Sequence, residues 1–149
     1  VQRGLESALP VQGRLCAVDG LGGALVLDDS YNASPNSFRA AIDVLASFSG
    51  RQILIAGDMK ELGSESRRAH QLFGEMAKRA GVGSLWAVGD YASLVVETFG
   101  EGGVVFEDQQ SLVEYASKQL GADSVVLVKG SRGSRMECVV NDLRRGEEA

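Results

Sequence analysis

The chain has 149 residues, 44% of them hydrophobic and 23% charged, which is enough to bury one ordinary core and too apolar for a disordered chain. Fifteen Lys and Arg against twenty Asp and Glu leave a net charge of −5, which argues against an electrostatic grip on nucleic acid or an anionic membrane. Nineteen glycines with only two prolines and no repeat imply a globular fold with many tight turns, neither collagen nor linker.

Cys16 and Cys138 are too few and too far apart for a disulfide framework or a zinc site, so a reducing cytoplasm is the expected compartment. The longest apolar runs, about five residues, fall short of the ~20 that span a bilayer, and the N-terminus lacks a signal-peptide pattern. Residue 1 is Val and not Met, so a chain that is processed or cut from a longer protein is expected.

In chain order, apolar runs at 15–18, 25–27, 53–56, 85–88, 104–106 and 125–128 predict six strands. The turn-rich link Asp19-Gly20-Leu21-Gly22-Gly23 joins the first two as a hairpin. Phe38, Ala41, Ile42, Leu45 and Phe48 recur at helical spacing, as do Ala69, Leu72, Phe73, Met76, Ala77 and Ala80. Leu112, Tyr115, Ala116 and Leu120 form a third stripe, Met136, Val139, Val140 and Leu143 a fourth, and 90–99 reads as a further helix. Alternating strands and helices predict an α/β fold: a Rossmann-like open sheet, mostly parallel with one antiparallel edge strand, and helices on both faces. One domain over residues 1–149 is expected.

Ligands of such sheets bind at the carboxyl ends of the strands, and three segments there stand out. Asp28-Asp29-Ser30-Tyr31-Asn32-Ala33-Ser34-Pro35-Asn36-Ser37 concentrates carboxylates, amides and hydroxyls. Its carboxylates suit a ribose or a metal's water shell, while Ser34 or Asn36, with Pro35, suits a helix N-cap. Gly57-Asp58-Met59-Lys60-Glu61-Leu62-Gly63 is a charged turn between glycines, a form shared by ligand loops and ordinary strand-to-helix connections. Lys129-Gly130-Ser131-Arg132-Gly133-Ser134-Arg135 places three cations before a helix, either as an anion site or as a solvated basic turn.

The chain contains no G-x-x-x-x-G-K-[ST] phosphate loop, no G-x-G-x-x-G fingerprint and no G-x-S-x-G elbow. His70 lies beside a helical stripe, where a packed or surface histidine is commoner than a catalytic base. Trp86 and both cysteines read as packing residues.

Taken in order, these motifs resemble the C-terminal domain of the Mur ligases, and among them the MurF type, which joins D-alanyl-D-alanine to UDP-N-acetylmuramoyl-tripeptide. Gly13-Arg14 resembles the family's glycine-arginine at the domain start, and Asp28 to Ala33 with Pro35 resembles D-D-S-Y-N-A-N-P. Gly57 to Gly63 resembles G-D-M-x-E-L-G, and His70 falls where this type often carries a histidine. Val128 to Arg132, followed by Met136-Glu137, resembles V-K-G-S-R…M-E. Ser34 departs from the family's usual Asn, and Lys60 stands at a variable position.

The resemblance implies a three-domain enzyme in which a central domain carries the phosphate loop, an N-terminal domain holds the UDP-sugar, and this domain closes over ATP and delivers the dipeptide. ATP and Mg would be held mainly by the central domain. Arg14 would reach the γ-phosphate as the catalytic residue, and Asp29, Tyr31 and Asn32 would hold the nucleotide. Lys129, Ser131 and Arg132 would hold an anionic part of the acceptor or stem peptide, and Asp58 and Glu61 would orient the incoming ammonium. UDP-N-acetylmuramoyl-tripeptide, D-alanyl-D-alanine and the other two domains are the implied partners. A monomer free of nucleic acid and membrane is expected, and the isolated chain should be inactive. The alternatives are a stand-alone nucleotide- or anion-binding module, and another Mur-type specificity such as folylpolyglutamate synthesis. Tyr31-Asn32, in place of the Ala-His those relatives tend to carry, speaks against the second alternative.

Overall fold

A computed structural model describes residues 15–30, 34–60 and 62–144. Each predicted strand run forms a strand: β1 (Cys16–Asp19), β2 (Leu25–Asp29), β3 (Arg51–Ala56), β4 (Ser84–Val88), β5 (Gly103–Phe106) and β6 (Ser124–Lys129). They make one sheet in the order β1-β2-β6-β3-β4-β5. β1 pairs antiparallel with β2 through a hairpin whose connection contains a 3-10 turn, Leu21–Gly23. All other pairings are parallel.

Among the described residues, five α-helices cover the sheet: α1 (Pro35–Ala46), α2 (Ser66–Arg79), α3 (Ala92–Phe99), α4 (Gln109–Gln119) and α5 (Glu137–Leu143). α1 starts at Ser34, whose hydroxyl accepts from the Ser37 amide while the Ser37 hydroxyl accepts from the Ser34 amide; Pro35 occupies the first turn. Ser34 through Ser37 therefore serve as a cap, a task that Ser performs as well as Asn. Phe48, expected on the α1 stripe, lies two residues past the helix end and still packs on the core.

Side chains alternate across each strand, so the near-continuous apolar runs feed two cores. Leu27, Leu54, Ala56, Leu85, Ala87 and Leu127 meet Phe38, Ile42, Leu45, Phe73 and Phe99 from α1, α2 and α3 on one face. Val26, Ile53, Ile55, Trp86, Val126 and Val128 meet Leu112, Ala116, Met136, Val139 and Leu143 on the other, mostly from α4 and α5. Both faces are thus dry, and Trp86 is 1% exposed.

β6, the last strand in sequence, inserts between β2 and β3. Its insertion brings the loops that leave β2, β3 and β6 together at one edge. Among the described residues, no helix is long and apolar enough to cross a membrane.

Candidate functional site at the strand ends

The five parallel strands end at the same edge, and the register places Asp29 of β2 and Ala56 of β3 on either side of Lys129. Asp28 and Asp29 point to opposite faces, as neighbours on a strand must. The buried Asp28 carboxylate turns back on its own loop, accepting from the Ser30 amide at 3.1 Å and the Ser30 hydroxyl at 2.6 Å. Asp29 accepts from the Lys129 ammonium at 2.8 Å. Lys129 is 1% exposed, and its ammonium also lies 5.4 Å from the centre of the Phe38 ring, within cation–π range.

The cation most prominent in the basic loop therefore sits inside the protein against Asp29, while Arg132 and Arg135 are exposed. Ser131 is buried: its amide donates to the Asp58 carbonyl at 2.9 Å, and its hydroxyl lies 3.3 Å from that of Ser134. The Ser134 hydroxyl donates to the same Asp58 carbonyl, at 2.9 Å. Gly57 and Gly130 stand where these loops touch. A Cβ on Gly130 would come within 2.5 Å of Met136 Cγ and 3.3 Å of the Gly57 Cα, and one on Gly57 within 2.8 Å of Met136 Sδ. The glycines of the second and third segments thus give room to Met136, the residue just after the third.

Asp58 fastens a further loop. Its carboxylate, nearly buried, accepts from the Asp90 amide at 2.8 Å and the Tyr91 amide at 3.0 Å, just before α3. Gly89 precedes these amides at φ +128°, and a Cβ there would lie 2.6 Å from the Asp58 carboxylate, so only glycine fits. The Lys60 ammonium is 3.8 Å from the same carboxylate. Asp58 therefore joins the β3, β4 and β6 loops, two through its side chain and backbone carbonyl and the third through its own position.

Beside it opens a pocket of about 170 Å³ lined by Asp58, Lys60, Gly89, Asp90, Gln109, Ser134 and apolar Val88 and Met136. The Gln109 amide donates to the Ser134 carbonyl at 2.9 Å, linking α4 to the β6 loop. Both charge signs line the walls, so a small molecule carrying an ammonium and a carbonyl or carboxylate would find partners there. Among the described residues, no three His, Cys, Asp or Glu side chains come together as metal ligands.

Of the expected site residues, Asp29 and Lys129 form one contact, and Asp58 and Ser131 another. Arg132 stays at the surface. Arg14, Tyr31, Asn32 and Glu61 lie outside the described residues. Sequence reasoning missed Asp90, Gln109 and the pocket role of Lys60. Asp90 follows β4 in a short connection with no polar cluster to mark it, whereas Gln109 follows β5 inside the polar run Glu107-Asp108-Gln109-Gln110-Ser111, a signal that could have found it.

The family model for the Mur ligase glutamate ligase domain matches residues 13–132. UDP-N-acetylmuramoyl-tripeptide–D-alanyl-D-alanine ligase of Escherichia coli (strain K12) is 39% identical over 146 residues, which cover 97% of this chain and 32% of that protein. The crystal structure of MurF from Acinetobacter baumannii superposes with a TM-score of 0.82 at 32% identity, over 95% of this chain and 32% of that one. The MurF ligase of Thermotoga maritima, solved in complex with ADP, superposes with a TM-score of 0.78 at 27% identity, over 95% of this chain and 34% of that one. The chain thus spans about a third of the length of these relatives. With the strand-end motifs in family order and the family model covering most of its length, the chain belongs to the Mur ligase family, in the region of its glutamate ligase domain.

Proposed function

We propose that this chain is the ATP- and dipeptide-facing domain, excised as one unit over residues 1–149, of a cytoplasmic, monomeric ligase that adds D-alanyl-D-alanine to UDP-N-acetylmuramoyl-tripeptide in peptidoglycan precursor synthesis. The observation that carries the reading is the gathering of Asp29, Lys129, Ser131 and Asp58 at one sheet edge in a chain that matches MurF relatives almost end to end.

In the proposed reaction, a terminal carboxylate oxygen of the tripeptide attacks the γ-phosphorus of ATP, and ADP leaves. The dipeptide's amine then attacks the carbonyl carbon of the acyl phosphate. It loses its proton, and the tetrahedral intermediate expels inorganic phosphate to leave the amide. Arg14 would stabilise the charge moving off the γ-phosphate once the domain closes. Asp29 would accept from the ribose hydroxyls, its carboxylate held in place by Lys129, and Tyr31 and Asn32 would complete the nucleotide contacts from the same loop. The ADP complex of the Thermotoga maritima relative supports a nucleotide in this role.

Asp58 and Glu61 would orient the incoming ammonium, and Ser131 and Arg132 would steady an anionic part of the acceptor or stem peptide. Lys129, assigned to that same anion, would contribute from behind Asp29. Magnesium would be held mainly by the central domain, where it would neutralise charge on the transferring phosphates.

Titration calorimetry of the 149-residue chain with ATP tests this reading. A domain that supplies only part of a nucleotide site should bind in the millimolar range, equivalent to about 4 kcal/mol, and release no phosphate from ATP in the presence of both substrates. Micromolar affinity would favour a free-standing nucleotide-binding module, and phosphate release above a heat-killed control would refute the dependence on other domains.

A further inference from the structure

His70 is fully buried on α2, and both of its ring nitrogens are engaged. Nδ1 lies 2.6 Å from the Ser66 carbonyl, which can only accept, so Nδ1 carries the hydrogen. Nε2 lies 3.0 Å from the Met59 amide, which can only donate, so Nε2 keeps its lone pair. The two contacts together require one neutral tautomer.

The ring also stacks on Tyr91, with centroids 4.2 Å apart and planes 13° apart. Met59 adjoins Asp58 in the β3 loop, and the Tyr91 amide is one of the two donors to the Asp58 carboxylate. His70 thus holds both sides of the junction that Asp58 closes, and through it the wall of the pocket made by Asp58 and Lys60. It cannot itself reach a ligand, because its side chain is 1% exposed.

The charged and titratable groups facing the ring among the described residues are Asp58, 4.0 Å from Nε2, and Lys60, both from the β3 loop, with Tyr91 from the β4 loop. Its own helix offers the Ser66 carbonyl and the Phe73 ring at 6.0 Å. Burial holds the imidazole's pKa below its usual value despite Asp58. A second ring proton would point at the Met59 N–H and break that contact.

We propose that His70 is a positioning residue: as the neutral Nδ1–H tautomer it sets the placement of residues 57–60, and thereby the affinity of the adjoining pocket for the small zwitterionic acceptor. The second half of the proposal rests on the ligase reading above, and the first half does not.

Two substitutions separate the contacts. In His70→Gln the side-chain oxygen can take the place of Nε2 and accept from Met59, whereas His70→Asn reaches only the position of Nδ1. Proton–nitrogen NMR of the 149-residue chain near about pH 7 should show hydrogen on Nδ1 alone; hydrogen on Nε2 would overturn the proposal without any variant. The amide signals of Asp58, Met59 and Lys60 should move in His70→Asn and largely return in His70→Gln. Equal displacement in both variants, or none in either, would also overturn it.

In the full-length ligase carrying this chain, His70→Asn should raise KM for D-alanyl-D-alanine about tenfold, the scale of one lost hydrogen bond, with kcat changed less and His70→Gln close to the parent. An unchanged KM beside displaced amide signals would reject the pocket as the acceptor site while leaving the loop-setting role in place. A full-length protein without ligase activity would instead reject the functional reading.

Discussion

The Asp29 carboxylate and the Lys129 ammonium lie 2.8 Å apart at paired positions of β2 and β6, with Lys129 sealed from solvent and Asp29 only partly so. The two residues are 100 positions apart in sequence, and the inserted last strand brings them together. Their burial is unequal, which makes the two single substitutions unequal as well. Asp29→Asn leaves a buried ammonium without the counter-charge Asp29 supplied, and should cost about 3 kcal/mol. Lys129→Met removes the buried charge and leaves a carboxylate that can still reach water, so it should cost less. Urea unfolding of both variants measures this; a larger loss in Lys129→Met would contradict the burial argument.

Asp58 should show a graded response. Asp58→Ala leaves the Asp90 and Tyr91 amides without their acceptor, a loss of about 1–3 kcal/mol, while Asp58→Asn keeps one acceptor oxygen and should lose less. Hydrogen exchange locates the effect. The Asp90 and Tyr91 amides should exchange faster in Asp58→Ala, and the amides of β6 should keep their protection relative to global stability.

The buried imidazole of His70 couples stability to pH. Its folded pKa lies below the ordinary 6.5, mainly through burial, so the unfolded chain takes up a proton that the folded protein resists. This contribution is complete above 6.5 and is lost as pH falls below that value toward the folded pKa. A single proton limits the slope to about 1.4 kcal/mol per pH unit. Unfolding measured from about pH 8 down to about pH 5 should show the decline, and His70→Gln should reduce it. Identical slopes in the two proteins would rule out His70 as its source.

The contact between the β3 and β6 loops predicts coupling. Gly130→Ala drives a Cβ to within 2.5 Å of Met136 Cγ and should cost about 1–3 kcal/mol. Met136 is fully buried, so Met136→Ala alone should cost about 2–5 kcal/mol through its cavity. The double variant should lose less than the sum, because the space vacated by the methionine receives the new methyl. Strict additivity in a double-mutant cycle would show that the loops can separate without strain.

Local patterns made much of the fold legible. Six strand runs, four helical stripes and a further helix at 90–99 each depend on residues within one or two turns of one another, where the period of apolar side chains reports the geometry directly. The cap at Ser34 is legible for the same reason, since its partner Ser37 is three residues away.

The candidate site was legible only as loops. Composition marks the three strand ends where polar residues cluster, yet Asp58 and Ser131 read there as ligand contacts, while the structure has the Asp58 carboxylate and carbonyl already accepting four hydrogen bonds from neighbouring loops. His70 read as a bystander beside a helical stripe, and it spans two loops.

By itself, then, the sequence determined the alternation of strands and helices, the dryness of both sheet faces and the family motifs, because these follow from short-range periodicity and spacing. Tertiary structure alone decided that β6 lies between β2 and β3, and with that placement the register that pairs Asp29 with Lys129 and seats Ser131 on Asp58. Strand order arises from how separate helices and strands share two cores, and no local pattern of residues encodes which strand ends become neighbours.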